Sequence, residues 1–329
     1  MNHIGNIIHK LRLNQGMSRK KLCENICSDK YLYMVEKGLR SPSTEIVRLL
    51  SIRLGDNLFE YYEFLDCDEP IQVKKLVNKF TMYRAIADFN KLEEANDRAA
   101  KLPDFKKAPW KYEIKVNNIA HSVFVDHKYE VAIEKINKLI DKIEPRYREE
   151  GFTANLYIML STCYQFYHNI EKSKEAILKA NEILNNKTML LRYSHIIISV
   201  KLNIMTLAHI SGENDLAIEH GLWINHYQLE TNTYERANFT YYYLAYAYYK
   251  KEMKTEAVEW FEKCLYELLI QYSPVPAYYI STYGPFYELF SRDYISEELI
   301  NKIKKQYSFI DNDTKQNLLK ASEVKALDL

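Results

Sequence analysis

The chain has 329 residues, and its 45 Lys and Arg residues balance 44 Asp and Glu residues, which excludes a protein held to nucleic acid by net charge alone. Hydrophobic residues make up 47% of the chain, which is enough for a buried core and argues against wholesale disorder. Eight glycines and eight prolines are too few for β-sandwiches, barrels and glycine-loop nucleotide folds. The composition therefore predicts an all-α protein, and the length predicts two domains.

The cysteines and the apolar segments of the sequence indicate the cellular compartment of the protein. The five cysteines are odd in number and widely spread, which is not a disulfide framework and fits a reducing environment. The N-terminal segment contains His3, His9, Lys10 and Arg12, so it lacks the apolar core of a signal peptide. Residues 196–210 are the most apolar later segment, but they are too few and too polar to span a bilayer. We expect a soluble, cytoplasmic protein.

Charge is distributed unevenly along the chain. Residues 1–55 contain ten basic and four acidic residues, whereas the remainder contains 35 basic and 40 acidic residues. A small basic module on a slightly acidic body indicates that the module contacts a polyanion. Acidic residues and a proline interrupt the apolar pattern just after it. The predicted boundaries are residues 1–66 for the module, 67–75 for a linker and 76–329 for the body.

The basic module is predicted to contain five short helices. Apolar residues of the first helix recur with the spacing of an amphipathic helix. Ser18 is placed to cap a second helix over residues 19–26, and Gly38 to end a third over residues 29–37. Two further apolar stretches mark a fourth helix and, at residues 58–65, a fifth. Two short helices joined by a tight turn form a helix-turn-helix unit, whose second helix fits the major groove of DNA.

Several short motifs of the module match a known pattern. They are Ile4-Gly5, Leu11-Arg12, Gly16-Met17-Ser18, Leu22, Val35-Glu36-Lys37-Gly38, Pro42-Ser43 and Leu54-Gly55. With them the module resembles the helix-turn-helix domain of phage repressors and their bacterial relatives. Arg19 stands where Gln is common, and Cys27 stands near the usual turn glycine, so the resemblance implies no particular DNA sequence.

The resemblance implies that residues 29–36 form the recognition helix, with Leu32 and Val35 in the core. Arg12 and Glu36 are expected to form a structural ion pair. Basic residues at the start of the second helix can reach phosphates, and exposed residues of the third can reach base edges. The predicted DNA-binding residues are Arg19, Lys20, Lys21, Ser28, Lys30, Tyr31, Tyr33 and Met34.

The body contains a degenerate helical repeat. A small or apolar residue opens the second helix of each predicted hairpin, at intervals of 40, 41, 44 and 40 residues: Leu92, Ala132, Ser173, Ala217 and Ala257. The pattern is that of stretched tetratricopeptide repeats, whose strict period is 34 residues. A sixth hairpin near residues 278–303 and a capping helix near residues 313–324 complete the prediction, which is a right-handed α-solenoid of degenerate tetratricopeptide-like repeats.

The first helices of such hairpins line a concave groove that accepts peptides or helices. Asparagine suits this groove because its amide both donates and accepts hydrogen bonds with a peptide backbone, and tyrosine offers a flat apolar ring with a hydroxyl group. The predicted groove residues are Asn118, His121, Asn155, Thr162, Gln165, Asn203, His209, Tyr242, Tyr246 and Tyr249.

A helix-turn-helix module followed by these repeats resembles the RNPP family of quorum-sensing regulators (Rap/Rgg, NprR, PlcR, PrgX), and the short turn at residues 24–27 is most similar to the PlcR branch. The resemblance implies a cytoplasmic transcriptional regulator that is switched by a short imported signalling peptide and binds promoter DNA as a homodimer. The repeat domain would then serve peptide binding and dimerisation. The alternative is a repressor that senses no peptide, or an adaptor whose repeats bind a protein partner.

Enzymatic chemistry finds no support in the sequence. The nine histidines form no short metal-ligand spacing, and a P-loop, a dinucleotide fingerprint and a G-x-S-x-G motif are absent. Cys23 and Cys27 have no second pair with which to complete a metal site. We therefore expect no enzyme activity, no metal and no cofactor.

Overall fold

The computed structural model describes residues 3–86, 88–185, 187, 193–271, 274–282 and 286–310, and within these ranges it contains helices and no strand. This confirms the all-α prediction. The α-helices are α1 (Ile4–Asn14), α2 (Arg19–Cys23), α3 (Asp29–Glu36), α4 (Thr44–Leu54), α5 (Pro70–Ala85), α6 (Phe89–Ala100), α7 (Trp110–Phe124), α8 (Tyr129–Lys142), α9 (Gly151–Phe166), α10 (Ile170–Leu184), α11 (Ser194–Ile210), α12 (Asn214–Thr231), α13 (Ala237–Lys250), α14 (Lys254–Ile270), α15 (Pro274–Thr282), α16 (Phe286–Leu289) and α17 (Glu297–Gln306).

The predicted fifth helix of the module is a 3₁₀ helix, Leu58–Phe64, rather than an α-helix. Its buried residues Leu58, Tyr61 and Phe64 are spaced three apart. A 3₁₀ helix has three residues per turn, so this spacing places all three side chains on one face. A period of 3.6 residues would place these three side chains on diverging sides of the helix, so the shorter period explains why the segment is a 3₁₀ helix.

The chain forms two compact units, Met1–Val125 and Asp126–Leu329. The predicted linker, residues 67–75, overlaps the start of α5 and is packed within the first unit. The buried Asp104 carboxylate accepts hydrogen bonds from the backbone N–H groups of Asp68 (2.7 Å) and Glu69 (3.0 Å) just before this helix. The domain boundary near residue 66 stays a prediction.

A buried ion pair joins α1 to α3 within the module. Arg12 Nε donates to Glu36 Oε1 at 2.7 Å, and Arg12 Nη2 donates to Glu36 Oε2 at 3.0 Å. Arg12 Nη1 also donates to the carbonyl oxygen of Met17 at 2.8 Å. Both partners are more than nine-tenths buried, which confirms the predicted structural pair. Such a bidentate pair fixes both the distance and the rotation of α3 relative to α1.

The second unit stacks the hairpins α9–α10, α11–α12 and α13–α14. Four of the five predicted repeat residues lie in the second helices of hairpins: Leu92 in the first unit, and Ser173, Ala217 and Ala257 in the second. Ala132 lies in α8, and all five side chains are at most 1% exposed. Gly221 shows why small residues are needed here, because a Cβ atom at this position would lie 2.6 Å from Leu244 and 2.7 Å from Met205. The second helix α12 can therefore lie close to both α11 and α13.

The described C-terminal part of the second unit contains three further helices. The region predicted as a sixth hairpin contains α15, α16 and α17, and the predicted capping helix near residues 313–324 lies outside the described residues. Among the described helices, none is both long and apolar enough to cross a bilayer.

We predict that Glu36→Ala lowers the free energy of unfolding of the module by about 3–5 kcal/mol, because it leaves the Arg12 guanidinium buried without its partner. Urea unfolding of the full chain, followed by hydrogen exchange of α1 and α3, measures this effect. Glu24→Ala is the control, since Glu24 is exposed. A loss of less than about 1 kcal/mol in Glu36→Ala, the range of exposed pairs, would contradict a structural role for the pair.

Candidate DNA-binding module and inner groove

Two serines set the start of the helices α2 and α3. The Ser18 hydroxyl accepts a hydrogen bond from the backbone N–H of Lys21 at 3.1 Å, and the Ser28 hydroxyl accepts one from the N–H of Tyr31 at the same distance. These N-caps satisfy backbone donors that the first helical turn leaves free. The Ser28 hydroxyl is therefore already bonded as the N-cap of α3. Its predicted contact with DNA would be made while it keeps this bond.

Helix α2 ends at Cys23, three residues earlier than the sequence predicted. Arg53 of α4 explains this end, because its Nη1 donates to the carbonyl oxygens of Lys21 (3.4 Å), Leu22 (3.2 Å) and Glu24. Asn25 follows with a φ of 57°, in the left-handed region. The arginine satisfies carbonyl groups that a longer helix would have bonded internally. Sequence reasoning missed Arg53 because the contact is long-range.

The exposed face of α3 carries the predicted recognition residues. Leu32 and Val35 are fully buried, as expected, so the opposite face points to solvent. Lys30, Tyr33 and Met34 lie on this outer face because they are spaced three and four residues apart. Lys37, the C-cap residue, continues the same face and was not among the predicted residues.

The remaining predicted DNA contacts surround this face. Lys20 and Lys21 are exposed near the start of α2, whereas Arg19 and Tyr31 are partly buried. The Arg19 guanidinium lies 5.0 Å from the centre of the Tyr33 ring, and its Nε lies 3.4 Å from Asp29 Oδ1. Arg19 is therefore held against α3, and binding of a phosphate would compete with this carboxylate.

In the second unit, the first helices of the hairpins contact one another. Helix α11 packs against both α9 and α13. Gln165 Nε2 of α9 donates to Asn203 Oδ1 of α11 at 3.3 Å. The ring centres of His209 on α11 and Tyr246 on α13 lie 3.8 Å apart in an edge-to-face arrangement. We call the partly exposed face of these three helices the inner face, and Gln165, Asn203, His209 and Tyr246 lie together on it.

Two side chains on the inner face carry buried polar atoms without a hydrogen-bond partner in the described part of the chain: Asn155 Nδ2 and His209 Nδ1. Burial, with the Lys250 charge as a smaller cause, lowers the pKa of His209 to about 4, so this imidazole is neutral at physiological pH. Buried polar atoms are normally paired, so unpaired ones mark places where a ligand can bond.

The other predicted groove residues differ in their surroundings. The Thr162 hydroxyl donates to the carbonyl oxygen of Ile158 at 3.1 Å, and the Tyr249 hydroxyl donates to Glu288 Oε2. Tyr242 is only 3% exposed and packs in the core, and burial raises the pKa of its hydroxyl well above the usual value. Its side chain supports the inner face from behind rather than lining it.

Asn118 and His121 lie on α7, in the first unit. Asn118 Oδ1 accepts a hydrogen bond from Asn96 Nδ2 at 2.7 Å, and His121 Nε2 lies 3.1 Å from Glu93 Oε2. These two predicted groove residues are therefore engaged with α6.

The distribution of charge among the helices is a signal that the sequence analysis missed. Helix α9 contains no Asp, Glu, Lys or Arg, and α11 and α13 contain one lysine each, Lys201 and Lys250. The second helices α10 and α14 contain six such residues each. Lys201 lies 5.1 Å from the centre of the Trp223 ring on α12, so it points toward its own hairpin partner. The inner face is therefore built from almost uncharged helices.

Comparisons with known proteins agree with this architecture. Residues 8–55 match the family model described as "Helix-turn-helix". The structure of Bacillus thuringiensis PlcR in complex with the peptide PapR7 and DNA is similar with a TM-score of 0.60 and 16% identity, over 82% of this chain and 96% of that chain. ComR from S. thermophilus, in complex with DNA and its signalling peptide ComS, is similar with a TM-score of 0.51 and 18% identity, over 84% of this chain and 97% of that chain.

No curated protein matches the chain by sequence. At these identities the structural similarity shows the fold, and it extends over most of the chain and nearly all of both solved proteins. The predicted resemblance to the RNPP regulators is confirmed at the level of fold. The chain is thus a helix-turn-helix protein with the fold of PlcR and ComR.

Proposed function

We propose that this protein is a cytoplasmic transcriptional regulator that binds promoter DNA through its helix-turn-helix module and is switched by a short signalling peptide bound to the inner face. The observation that carries the proposal is that one chain combines an exposed, basic and aromatic α3 face with an inner face that holds unpaired buried polar atoms. PlcR and ComR, which share the fold, were solved with both DNA and a peptide. The likeness to these regulators also favours a protein without enzymatic activity.

On this proposal, residues 1–66 form the DNA-binding domain and residues 76–329 form the domain that binds the peptide and dimerises. Residues 67–75 are the linker between the two domains. The α2 residues Arg19, Lys20 and Lys21 contact phosphates, and α3 with its cap presents Ser28, Lys30, Tyr31, Tyr33 and Met34 to base edges or the nearby backbone. A homodimer suits DNA because paired half-sites lie one helical turn apart, about 34–36 Å.

The proposed peptide contacts are the predicted groove residues that lie on the inner face. They are Asn155, Thr162, Gln165, Asn203, His209, Tyr246 and Tyr249. Tyr242 supports the face from the core, whereas Asn118 and His121 belong to the first unit and are bonded to α6. The peptide switches the protein if it binds one arrangement of the DNA-binding modules more tightly than another.

We predict that the double substitution Lys20→Ala and Lys21→Ala weakens DNA binding for all sequences alike. If both lysines contact phosphates, the slope of log K against log salt becomes shallower by about 2, because each contact releases about one counterion. Fluorescence anisotropy over a range of salt concentrations measures this slope. Lys135→Ala is the matched control, because Lys135 is exposed on α8, which belongs to the second unit. An unchanged slope in the double variant would remove these lysines from the interface.

The proposed function is tested by capture of fragmented genomic DNA from the organism that encodes the protein, with and without low-molecular-weight extract of a dense culture. We expect discrete fragments whose occupancy changes when extract is present. Discrete fragments that ignore the extract would contradict peptide switching and favour a constitutive repressor or an adaptor. No enriched fragment in either condition at moderate salt would contradict DNA binding itself.

A further inference from the structure

We propose that the inner face selects peptides with uncharged side chains, at least one of them aromatic, and discriminates against peptides with acidic or basic side chains. The inference rests on the proposed function, since it specifies the chemistry of the ligand of the same site. It is drawn from the charges, the unpaired polar atoms and the rings of α9, α11 and α13.

The inner face has few charged side chains. Helix α9 carries no ionisable acid or base of the Asp, Glu, Lys and Arg types, and the Lys201 ammonium of α11 lies over Trp223 on the hairpin partner α12. The Lys250 ammonium lies 5.5 Å from the centre of the Tyr246 ring at the C-terminal end of α13, and the nearby Tyr249 bonds Glu288. Away from this end, beside α9 and the middle of α11, a charged peptide side chain would lose water without gaining an opposite charge, which is unfavourable.

The hydrogen-bonding groups of the inner face are amides and hydroxyls. Asn155 Nδ2 is a buried donor that lacks an acceptor in the described residues, whereas the amides of Gln165 and Asn203 bond each other. A donor of this kind suits a carbonyl oxygen of a peptide backbone, whatever the side chains of the peptide are. The hydroxyl of Thr162 is bonded to its own helix and leaves an oxygen that can accept a further bond. The polar groups of the face thus suit a backbone rather than an ionised side chain.

An aromatic cluster lies between α11 and α13. The His209 ring lies edge-to-face on Tyr246 with centres 3.8 Å apart, and its centre is 5.9 Å from that of Tyr243. Burial keeps the imidazole neutral near pH 7 by lowering its pKa to about 4. Neutral rings at these distances offer faces and edges to a further ring, which is a favourable arrangement for an aromatic side chain. This cluster explains the expected preference for an aromatic residue.

The test is affinity selection by the full chain from a pool of heptapeptides with all seven positions randomised. Retained peptides are separated by size-exclusion chromatography and sequenced by mass spectrometry. We expect Asp, Glu, Lys and Arg to be depleted about tenfold relative to the input, and Phe, Tyr and Trp to be enriched. Retained peptides in which charged residues are as frequent as in the input would overturn the inference but leave peptide sensing intact. Retention of no peptide would instead contradict the proposed function.

A charge introduced on the inner face should change this selection. In Thr162→Glu, a carboxylate replaces a partly exposed hydroxyl, and we expect the retained peptides to become enriched in Lys and Arg about tenfold relative to those of the unmodified chain. Thr255→Glu makes the same exchange at an exposed position of the second helix α14 and should leave the selection unchanged. Thermal unfolding verifies that both variants fold. An identical selection by the folded Thr162→Glu variant would show that peptides bind elsewhere and would overturn the inference.

Discussion

Dense packing around the first helices of the hairpins is the constraint on which the second unit depends. Helix α11 contacts α9, α10, α12 and α13, and nine of its 17 residues are buried. Charged side chains are costly in such a position unless they are paired, and α9, α11 and α13 are accordingly almost free of them. The second helices keep an exposed side and carry the charges. Small residues such as Ala217 and Gly221 permit the close approach.

The same constraint leaves the first helices a partly exposed face, and this face is poor in charge, aromatic and rich in amides. The property that makes the stack stable therefore also determines which ligands the face accepts. In the DNA-binding module, two arginines have a comparable role. Arg12 ties α3 to α1 through Glu36, and Arg53 ends α2 so that α3 begins after a short turn. Neither arginine is free to contact DNA, and both determine how the recognition helix is presented.

The sequence predicted the features that rest on local or periodic signals. These are the start of α3 at the Ser28 cap, the buried Leu32 and Val35, and the small residues of the repeats. It did not predict the early end of α2, because Arg53 is about thirty residues away and a distant side chain leaves no local signal. A helix was predicted at residues 58–65, but its 3₁₀ type was not, because periods of 3 and 3.6 residues are hard to distinguish over seven residues.

The groove was predicted less precisely than the module. Tyr242 and Tyr246 are four residues apart on α13, yet one is buried in the core and the other lies on the inner face. Tyrosine is compatible with both environments, so its identity does not reveal its position. Asn118 and His121 fit the groove by spacing, but bonds to α6 hold them in the first unit. Spacing predicts which helix a residue belongs to, while its contacts depend on neighbours that are distant in sequence.

The central claim is that peptide binding and DNA binding are coupled within one protein. The most direct measurement is calorimetric titration of a selected peptide into the full chain, alone and saturated with a captured DNA fragment. The account predicts that DNA changes the peptide affinity about 5-fold or more, and by the same factor by which the peptide changes the DNA affinity, because thermodynamic coupling is reciprocal. A peptide affinity that is the same with and without DNA would contradict it.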